Sequence, residues 1–116
     1  MATEQKLTII RGDTTTYTVT LTDSAGDPID ITGYTFFMTV KKSKDDKDDD
    51  AIITEDVTSH SDPTNGVTVI TLSSTDTNVA PGIYYYDIQY KDTSDNIKTV
   101  LYGVFEVLVD YTRRTS

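Results

Sequence analysis

The segment APGIYYYDIQY, residues 80–90, decides the fold of this chain. Its Pro-Gly pair is a turn signal, and the residues after it are the most strongly strand-forming in the sequence. One face of the segment is mostly aromatic and carries Tyr84, Tyr86, Ile88 and Tyr90. Because side chains in a strand alternate between two faces, this spacing predicts a half-buried strand with an aromatic core face.

Six other segments have strand patterns: residues 7–10, 14–22, 34–40, 51–57, 67–72 and 97–109. Turn-forming residues separate them, and no segment has a convincing helical period. Several short strands at this spacing are typical of a β-sandwich. The sequence therefore predicts an all-β domain of about seven strands.

The faces of most of these strands follow from their alternation. In residues 14–22, apolar side chains alternate with threonines, so that one face is buried and the other is wet. In residues 34–40 the even positions form the core face, which leaves Phe37 outside. Glu55 and Asp56 mark residues 51–57 as an edge strand. Residues 67–72 are apolar on both faces, so the pattern leaves their orientation open.

A short polar connection, residues 73–78, leads into Gly82-Ile83-Tyr84. In immunoglobulin-like sandwiches the chain crosses between the two sheets at such a corner, where a tyrosine hydroxyl bonds back to upstream backbone. We assign Tyr84 to this role. The fold class predicted is an immunoglobulin-like antiparallel β-sandwich formed by one domain over residues 1–116.

Composition narrows the possible functions. The chain has no cysteine, which excludes disulfides and thiolate chemistry. Its net charge of −9 opposes binding to nucleic acid and to anionic lipid. No apolar run is long enough to span a bilayer, and the polar N-terminal segment differs from a secretory signal. We therefore expect no nucleic-acid partner, no membrane contact and synthesis in a cytoplasm.

Two stretches are too polar to pack. Residues 41–50 are all charged except Ser43, which predicts a solvated loop, and residues 110–116 are predicted to be a polar tail. The aspartates of the loop do not match a calcium-binding loop, because Ala51 and Val57 stand where glycine and glutamate are required.

No residue pattern predicts catalysis. The tripeptide Arg11-Gly12-Asp13 has the sequence of an integrin-binding motif, but an ordinary turn explains it. His60, the only histidine, is expected to be a solvated loop residue, and carboxylates in turns are expected to stay ionised without pairing. We therefore predict a protein that is not an enzyme, with no cofactor, no metal and no small-molecule substrate.

The last strand is apolar on both faces. Its odd positions, Ile97, Leu101, Phe105, Val107 and Val109, are assigned to the core. Its even positions include Val100, Tyr102, Val104 and Leu108. A strand that is apolar on both sides needs a second cover. A bulge at Gly103 that switches the faces, a loop folded over the strand, and a partner subunit that contacts Val100, Tyr102, Val104 and Leu108 all remain open.

A set of turn and core segments resembles a family of small immunoglobulin-like structural proteins of tailed bacteriophages, described as baseplate-upper-protein-like or virion structural proteins. The matching segments are residues 10–14, 17–23, 26–33, 81–89, 103–107 and 110–113. The resemblance implies a non-enzymatic assembly or adaptor component of the tail or baseplate. Its partners would be other virion structural proteins and copies of itself, and its location would be the virion, after synthesis in the bacterial cytoplasm.

Two alternatives stay open. The first is a capsid decoration protein. The baseplate relatives carry this domain at the N-terminus of a longer chain, and this shorter sequence departs from that pattern. The second is a module that binds carbohydrate or a host surface, in which exposed Phe37, Tyr85 and Tyr102 would stack on sugar rings.

Overall fold

Strands make up most of the described chain. The computed structural model describes residues 3–43 and 51–109. Within them lie eight strands and one 3₁₀ turn: β1 (Thr3–Glu4), β2 (Leu7–Ile10), β3 (Thr15–Thr20), β4 (Thr35–Lys41), β5 (Ile53–Val57), the turn Pro63–Asn65, β6 (Val67–Leu72), β7 (Gly82–Lys91) and β8 (Ile97–Leu108). The prediction of an all-β sandwich is confirmed. The predicted charged loop lies outside the described residues from position 44 to 50, as does the predicted tail from 110 to 116.

The strands form two sheets of unequal size. The large sheet has the order β1-β8-β7-β4-β5, and β2 follows β1 along the same edge of β8. The small sheet contains β3 and β6. β1 and β2 run parallel to β8, whereas the other pairs are antiparallel. The expectation of a wholly antiparallel sandwich is therefore wrong at the N-terminus. There β1 and β2 run parallel to β8, and the chain then crosses from β2 to β3 in the small sheet.

The core lies between the two sheets. The tyrosine segment forms β7 at the centre of the large sheet, with β4 and β8 as its neighbours. The buried side chains come from the inner faces of β7, β4 and β8 and from the facing side of β6: Tyr84, Tyr86, Ile88, Phe36, Met38, Val40, Phe105, Val107, Ile70 and Leu72. Thr68, Ile70 and Leu72 point inward, which settles the orientation of β6 that the sequence left open.

Tyr84 stands at the corner where the chain enters β7. Its hydroxyl donates a hydrogen bond to the carbonyl of Ala80, four residues upstream. The connection before it is fixed by Ser73 and Asp76, which bond each other's backbone N–H groups with their side chains at 3.1 and 3.0 Å. The hydrogen bond of Tyr84 to Ala80 is the contact expected of a tyrosine corner. The immunoglobulin-like assignment of the whole connectivity stays a prediction.

The pairing of β7 with β8 is interrupted by a bulge at Val100. Ile88 pairs with Leu101 and Gln89 pairs with Thr99, so Val100 has no opposite residue. A bulge at Gly103 was one of the open alternatives, but the pairing is regular there. The assignment of Ile97 and Val109 to the core is also wrong, since they are 58% and 47% exposed. The extra residue shifts the alternation before Leu101, and Val109 lies beyond the end of β8.

Gly103 is required by the N-terminal segment that passes beside it. A Cβ atom there would lie 2.6 Å from the carbonyl oxygen of Gln5, and the backbone φ of 147° also favours glycine. The N–H of Gln5 donates to the carbonyl of Tyr102 at 2.9 Å. The hydroxyl of Tyr86 donates to the carbonyl of Gln5 at 2.6 Å. These contacts hold the junction between β1 and β2 against β8.

Two tyrosines with buried hydroxyl groups allow a matched test of this junction. Tyr86→Phe removes the hydrogen bond to Gln5 and is expected to lower the free energy of unfolding by about 1 kcal/mol. The hydroxyl oxygen of Tyr17 is buried without a hydrogen-bond partner among the described residues. Tyr17→Phe is therefore expected to be neutral or stabilising, because it removes a desolvated group that has no compensating bond. Urea unfolding of both variants measures the difference, and equal losses would contradict this account.

Candidate functional site

The outward side of the large sheet is the candidate functional surface. We call it the outer face, and it consists of the side chains that alternate with the buried ones on β4, β7 and β8: Phe37, Thr39, Lys41, Ile83, Tyr85, Asp87, Gln89, Tyr102, Val104, Glu106 and Leu108. The strand register fixes their neighbours. Thr39, Asp87 and Tyr102 form one row, and Lys41, Tyr85 and Val104 form the next. The face is rigid because every member lies on a paired strand.

A groove of about 290 Å³ crosses the middle of the outer face. It is lined by Tyr85 of β7 and by Tyr102 and Val104 of β8, and Val104 lies opposite Tyr85. Carboxylates reach it from Asp87 and from Glu4, which pairs with Tyr102 across the edge of the sheet. Aromatic surfaces and hydrogen-bonding groups therefore meet in one shallow site.

A second apolar cluster lies at one end of the same face. Ile10 pairs with Leu108 across the β2–β8 edge, and Ile83 is a diagonal neighbour of Leu108. Ile10 is 45% exposed, Leu108 is 42% exposed and Ile83 is 51% exposed. We call them the isoleucine end. The sequence analysis missed Ile10 and Ile83, because only the register between strands brings them beside Leu108.

One ion pair separates the groove from the isoleucine end. The ammonium nitrogen of Lys6 lies 2.9 Å from a carboxylate oxygen of Glu106. An exposed pair of this kind contributes little to stability, of the order of 0–1 kcal/mol. It neutralises the charge of Glu106 within the apolar strip, which allows the strip to continue from Val104 to Leu108.

The structure separates the four predicted subunit-contact residues. Tyr102, Val104 and Leu108 lie together on the outer face. The bulge moves Val100 away from them, and its side chain packs against the core. Phe37 and Tyr85, proposed as aromatic contacts, are both half-buried on the outer face. Tyr85 borders the groove, whereas Phe37 lies outside it.

The Arg11-Gly12-Asp13 segment forms a turn that is fastened to the β6–β7 connection. The Arg11 Nε donates to the Asn78 side chain at 3.2 Å. The Thr77 hydroxyl donates to the carbonyl of Asp13 at 2.7 Å. The N–H of Gly12 also donates to the carbonyl of Thr77 at 3.2 Å. The prediction of an ordinary structural turn is confirmed, since all three residues make hydrogen bonds within the domain.

His60 is not the solvated loop residue that the sequence suggested. Its Nε2 lies 2.8 Å from the carbonyl oxygen of Tyr34, so this nitrogen carries a proton and donates. Its Nδ1 lies 2.8 Å from the hydroxyl of the fully buried Thr68. The ring also packs edge-on against Phe36, with ring centres 5.5 Å apart. His60 closes one end of the sandwich, and both of its nitrogens are used in doing so.

Glu55 and Asp76 form a carboxyl pair that sequence analysis did not find. Glu55 is on the inner side of the edge strand β5, opposite Met38, and there it meets Asp76 of the β6–β7 connection. The hydrogen bond with Asp76, with burial next, raises the pKa of Glu55 to about 7. The same bond lowers the pKa of Asp76. The expectation that carboxylates in turns stay unpaired is therefore wrong at Asp76. Neither residue borders the groove.

The shared proton predicts a pH dependence of stability. The pKa of Glu55 is higher in the folded state, so its contribution is present below its ordinary pKa of 4.5 and is lost as the pH rises towards about 7. The pKa of Asp76 is shifted downward from 3.8, so its effect falls at lower pH. We expect the free energy of unfolding of Glu55→Gln to decrease less than that of the wild type between pH 5 and 7.5.

Urea unfolding at several pH values checks this expectation. Glu4→Gln is the matched control, because it makes the same chemical change on the opposite edge of the large sheet. A pH profile of Glu55→Gln that runs parallel to that of the wild type would show that the pair does not share a proton.

No three His, Cys, Asp or Glu side chains within residues 3–43 and 51–109 come together as metal ligands would. In the same part of the chain, no helix has the length and apolar character that crossing a membrane requires.

Comparison with known proteins does not assign the chain to a family. No protein-family model matches the sequence, and no curated protein matches it significantly.

Proposed function

We propose that this protein is a non-enzymatic structural protein of a tailed-bacteriophage virion, an assembly or adaptor component of the tail or baseplate. The outer face supports this proposal most directly. Leu108, Ile83 and Ile10 leave large apolar side chains in water at one end of a rigid sheet, and Val104 and Tyr102 extend the strip. Exposed apolar patches of this kind are typical of surfaces that bind other proteins.

The arrangement of charge supports the same proposal. The chain carries a net charge of −9, but the strip from Tyr102 to Leu108 contains one acid, Glu106, which Lys6 pairs with. Depletion of unpaired charge and enrichment in aromatic residues are the compositional features of protein interfaces. The acidic remainder would keep the protein soluble and would oppose non-specific contacts. The resemblance to phage structural proteins gives the class of partner, which is another virion protein.

The proposal predicts that the outer face decides incorporation into particles. Leu108→Asp places a charge at the isoleucine end without touching the core, so the fold is expected to persist. Burying that charge against a partner would cost several kcal/mol. We expect the copy number of Leu108→Asp in purified particles to fall at least tenfold relative to the wild type, measured by quantitative mass spectrometry.

Thr71→Asp is the control, because Thr71 is an exposed strand residue on the small sheet. It should be incorporated at the wild-type level. Incorporation of Leu108→Asp at the same level would contradict the role of the outer face, and absence of the wild-type protein from particles would contradict the virion proposal. Electron microscopy of labelled particles separates the tail or baseplate from the capsid, and a capsid position would establish the decoration alternative.

The groove favours one second candidate, a carbohydrate-binding module. Tyr85 and Tyr102 are diagonal neighbours on adjacent strands, and such residues lie about 7–8 Å apart. Both side chains line the groove, so they offer two aromatic surfaces on which a sugar ring can stack. The carboxylates of Asp87 and Glu4 could accept hydrogen bonds from hydroxyl groups there.

The carbohydrate candidate is tested with the free protein. Binding to an array of bacterial surface glycans should require Tyr102, so Tyr102→Ala should abolish it. Phe37→Ala should leave it unchanged, because Phe37 lies outside the groove. An array on which the wild type binds nothing removes this candidate and leaves the assembly proposal as it stands.

A further inference from the structure

The small sheet has one strand edge that pairs with no described residue. β3 is bonded to β6 on one side only. The N–H of Leu21 donates to the carbonyl of Gly66 at 2.9 Å, which shows that the odd-numbered residues of this strand bond towards β6. Backbone groups in an antiparallel pair alternate in direction. The N–H and C=O groups of Thr16, Thr18 and Thr20 therefore point away from the sheet.

This edge lacks the features that normally prevent strands from pairing between molecules. Residues 14–22 contain no charge, no proline and no glycine, in a chain of which 25% is charged. The other edges differ. β5 carries Glu55 and Asp56, the β1–β2 segment carries Glu4 and Lys6, and the far side of β6 lies against β5 and the turn Pro63–Asn65. Natural sheets protect exposed edges with charges or proline, so an unprotected edge indicates a partner strand.

The edge is also complementary to itself. Residues 14–22 have threonine at every even position, and Thr18 is the centre of that series. An antiparallel copy of the strand therefore presents threonine opposite threonine, with Thr18 on the two-fold axis. Cross-strand threonine pairs are favourable in sheets.

We propose that β3 pairs antiparallel with β3 of a second copy of this chain, centred on Thr18. Thr18 then lies opposite Thr18 of the partner subunit, and Thr16 lies opposite Thr20 of the partner subunit. Each copy donates the three outward N–H groups of Thr16, Thr18 and Thr20. The result is a continuous four-stranded sheet, with the order β6-β3-β3-β6, that spans two sandwiches.

A cleft beside the edge favours the same arrangement. It has a volume of about 580 Å³ and lies between β3 and the start of β8. The half-buried side chains of Val100 and Leu101 contribute apolar surface to it. Thr18 and Thr20 of the free edge also line it, as do the charged residues Asp23 and Lys98. A second copy seated on the edge covers the opening and removes this apolar surface from water, which adds to the hydrogen bonds of the ladder.

The lack of charge on this edge favours contact between two copies there. Each copy carries −9, so association is opposed by long-range repulsion. An uncharged edge is where that repulsion is least. Because salt screens charges beyond about 10 Å at 0.1 M, the affinity of the dimer should increase with ionic strength.

The absence of native cysteine allows a direct test by cross-linking. Hydrogen-bonded antiparallel pairs have Cα atoms about 5.5 Å apart, within the range of about 4.4–6.8 Å that disulfides span. Thr18→Cys should therefore form a disulfide-linked dimer under mild oxidation, reversible by dithiothreitol. Thr71→Cys is the control, since Thr71 is an exposed threonine on the adjacent strand β6, and it should stay monomeric.

A second variant tests the ladder without a cross-link. Proline at position 18 removes an N–H that points outward, so Thr18→Pro leaves the bonds to β6 in place. Sedimentation equilibrium from micromolar to near-millimolar protein should show a monomer–dimer equilibrium for the wild type, and dissociation at least tenfold stronger for Thr18→Pro. Circular dichroism confirms that the variant is folded. Leu108→Asp, on the outer face, should dimerise as the wild type does.

Three outcomes would overturn the proposal. They are a wild-type monomer at every concentration, equal cross-linking of Thr18→Cys and Thr71→Cys, and a dimer that survives Thr18→Pro but is lost in Leu108→Asp. The last outcome would place the contact between copies on the outer face. None of these measurements uses particles, so they are independent of the virion proposal.

Discussion

The carbonyl group of Gln5 is the point on which the rest of this architecture depends. It accepts the hydroxyl of Tyr86 at 2.6 Å and lies against Gly103, where any side chain would collide with it. This contact commits the N-terminal segment to the β8 edge of the large sheet. Within residues 3–43 and 51–109 the segment does not pair with β3, and β3 pairs with β6 alone. The unequal sheets and the cleft between β3 and β8 accompany this placement of the N-terminal segment.

The elements that sequence analysis predicted well are those in which local pattern and burial agree. Alternation placed Tyr84, Tyr86 and Ile88 in the core, and the turn chemistry before them placed the corner. The acidic residues Glu55 and Asp56 correctly predicted that β5 is an edge strand. In β8 the same reasoning failed, because both faces are apolar and one inserted residue changes which face is buried. A glycine within a strand often marks a bulge, but the bulge lies at Val100. Gly103 is instead required because the backbone of Gln5 passes close to it. Composition alone does not distinguish these two uses of a glycine in a strand.

The features that sequence analysis missed are contacts between residues far apart in the chain. His60 bonds to Tyr34 and Thr68, and it belongs to a segment whose polar composition indicates a solvated loop. Glu55 meets Asp76 only because β5 and the β6–β7 connection lie on the same side of the sandwich. An acid directed inward on an edge strand discourages additional strands from pairing there. The inward position of Glu55 places it partly buried beside Asp76, which raises the pKa of Glu55. The outer face has the same origin, since Ile10 and Leu108 become neighbours through strand register.

Two surfaces with different chemistry therefore remain for contact with other molecules, and their geometry limits what can be assembled from them. The outer face is the broad side of the large sheet, where side chains dominate and a partner must match an apolar strip. The free edge of β3 is a line of backbone groups, which accepts only another strand. Because an edge lies roughly at right angles to the normal of a face, occupying one does not block the other. A copy that used β3 to pair with its twin would still present its outer face. The pair would then carry two identical apolar strips related by a two-fold axis, as an adaptor joining two equivalent neighbours requires.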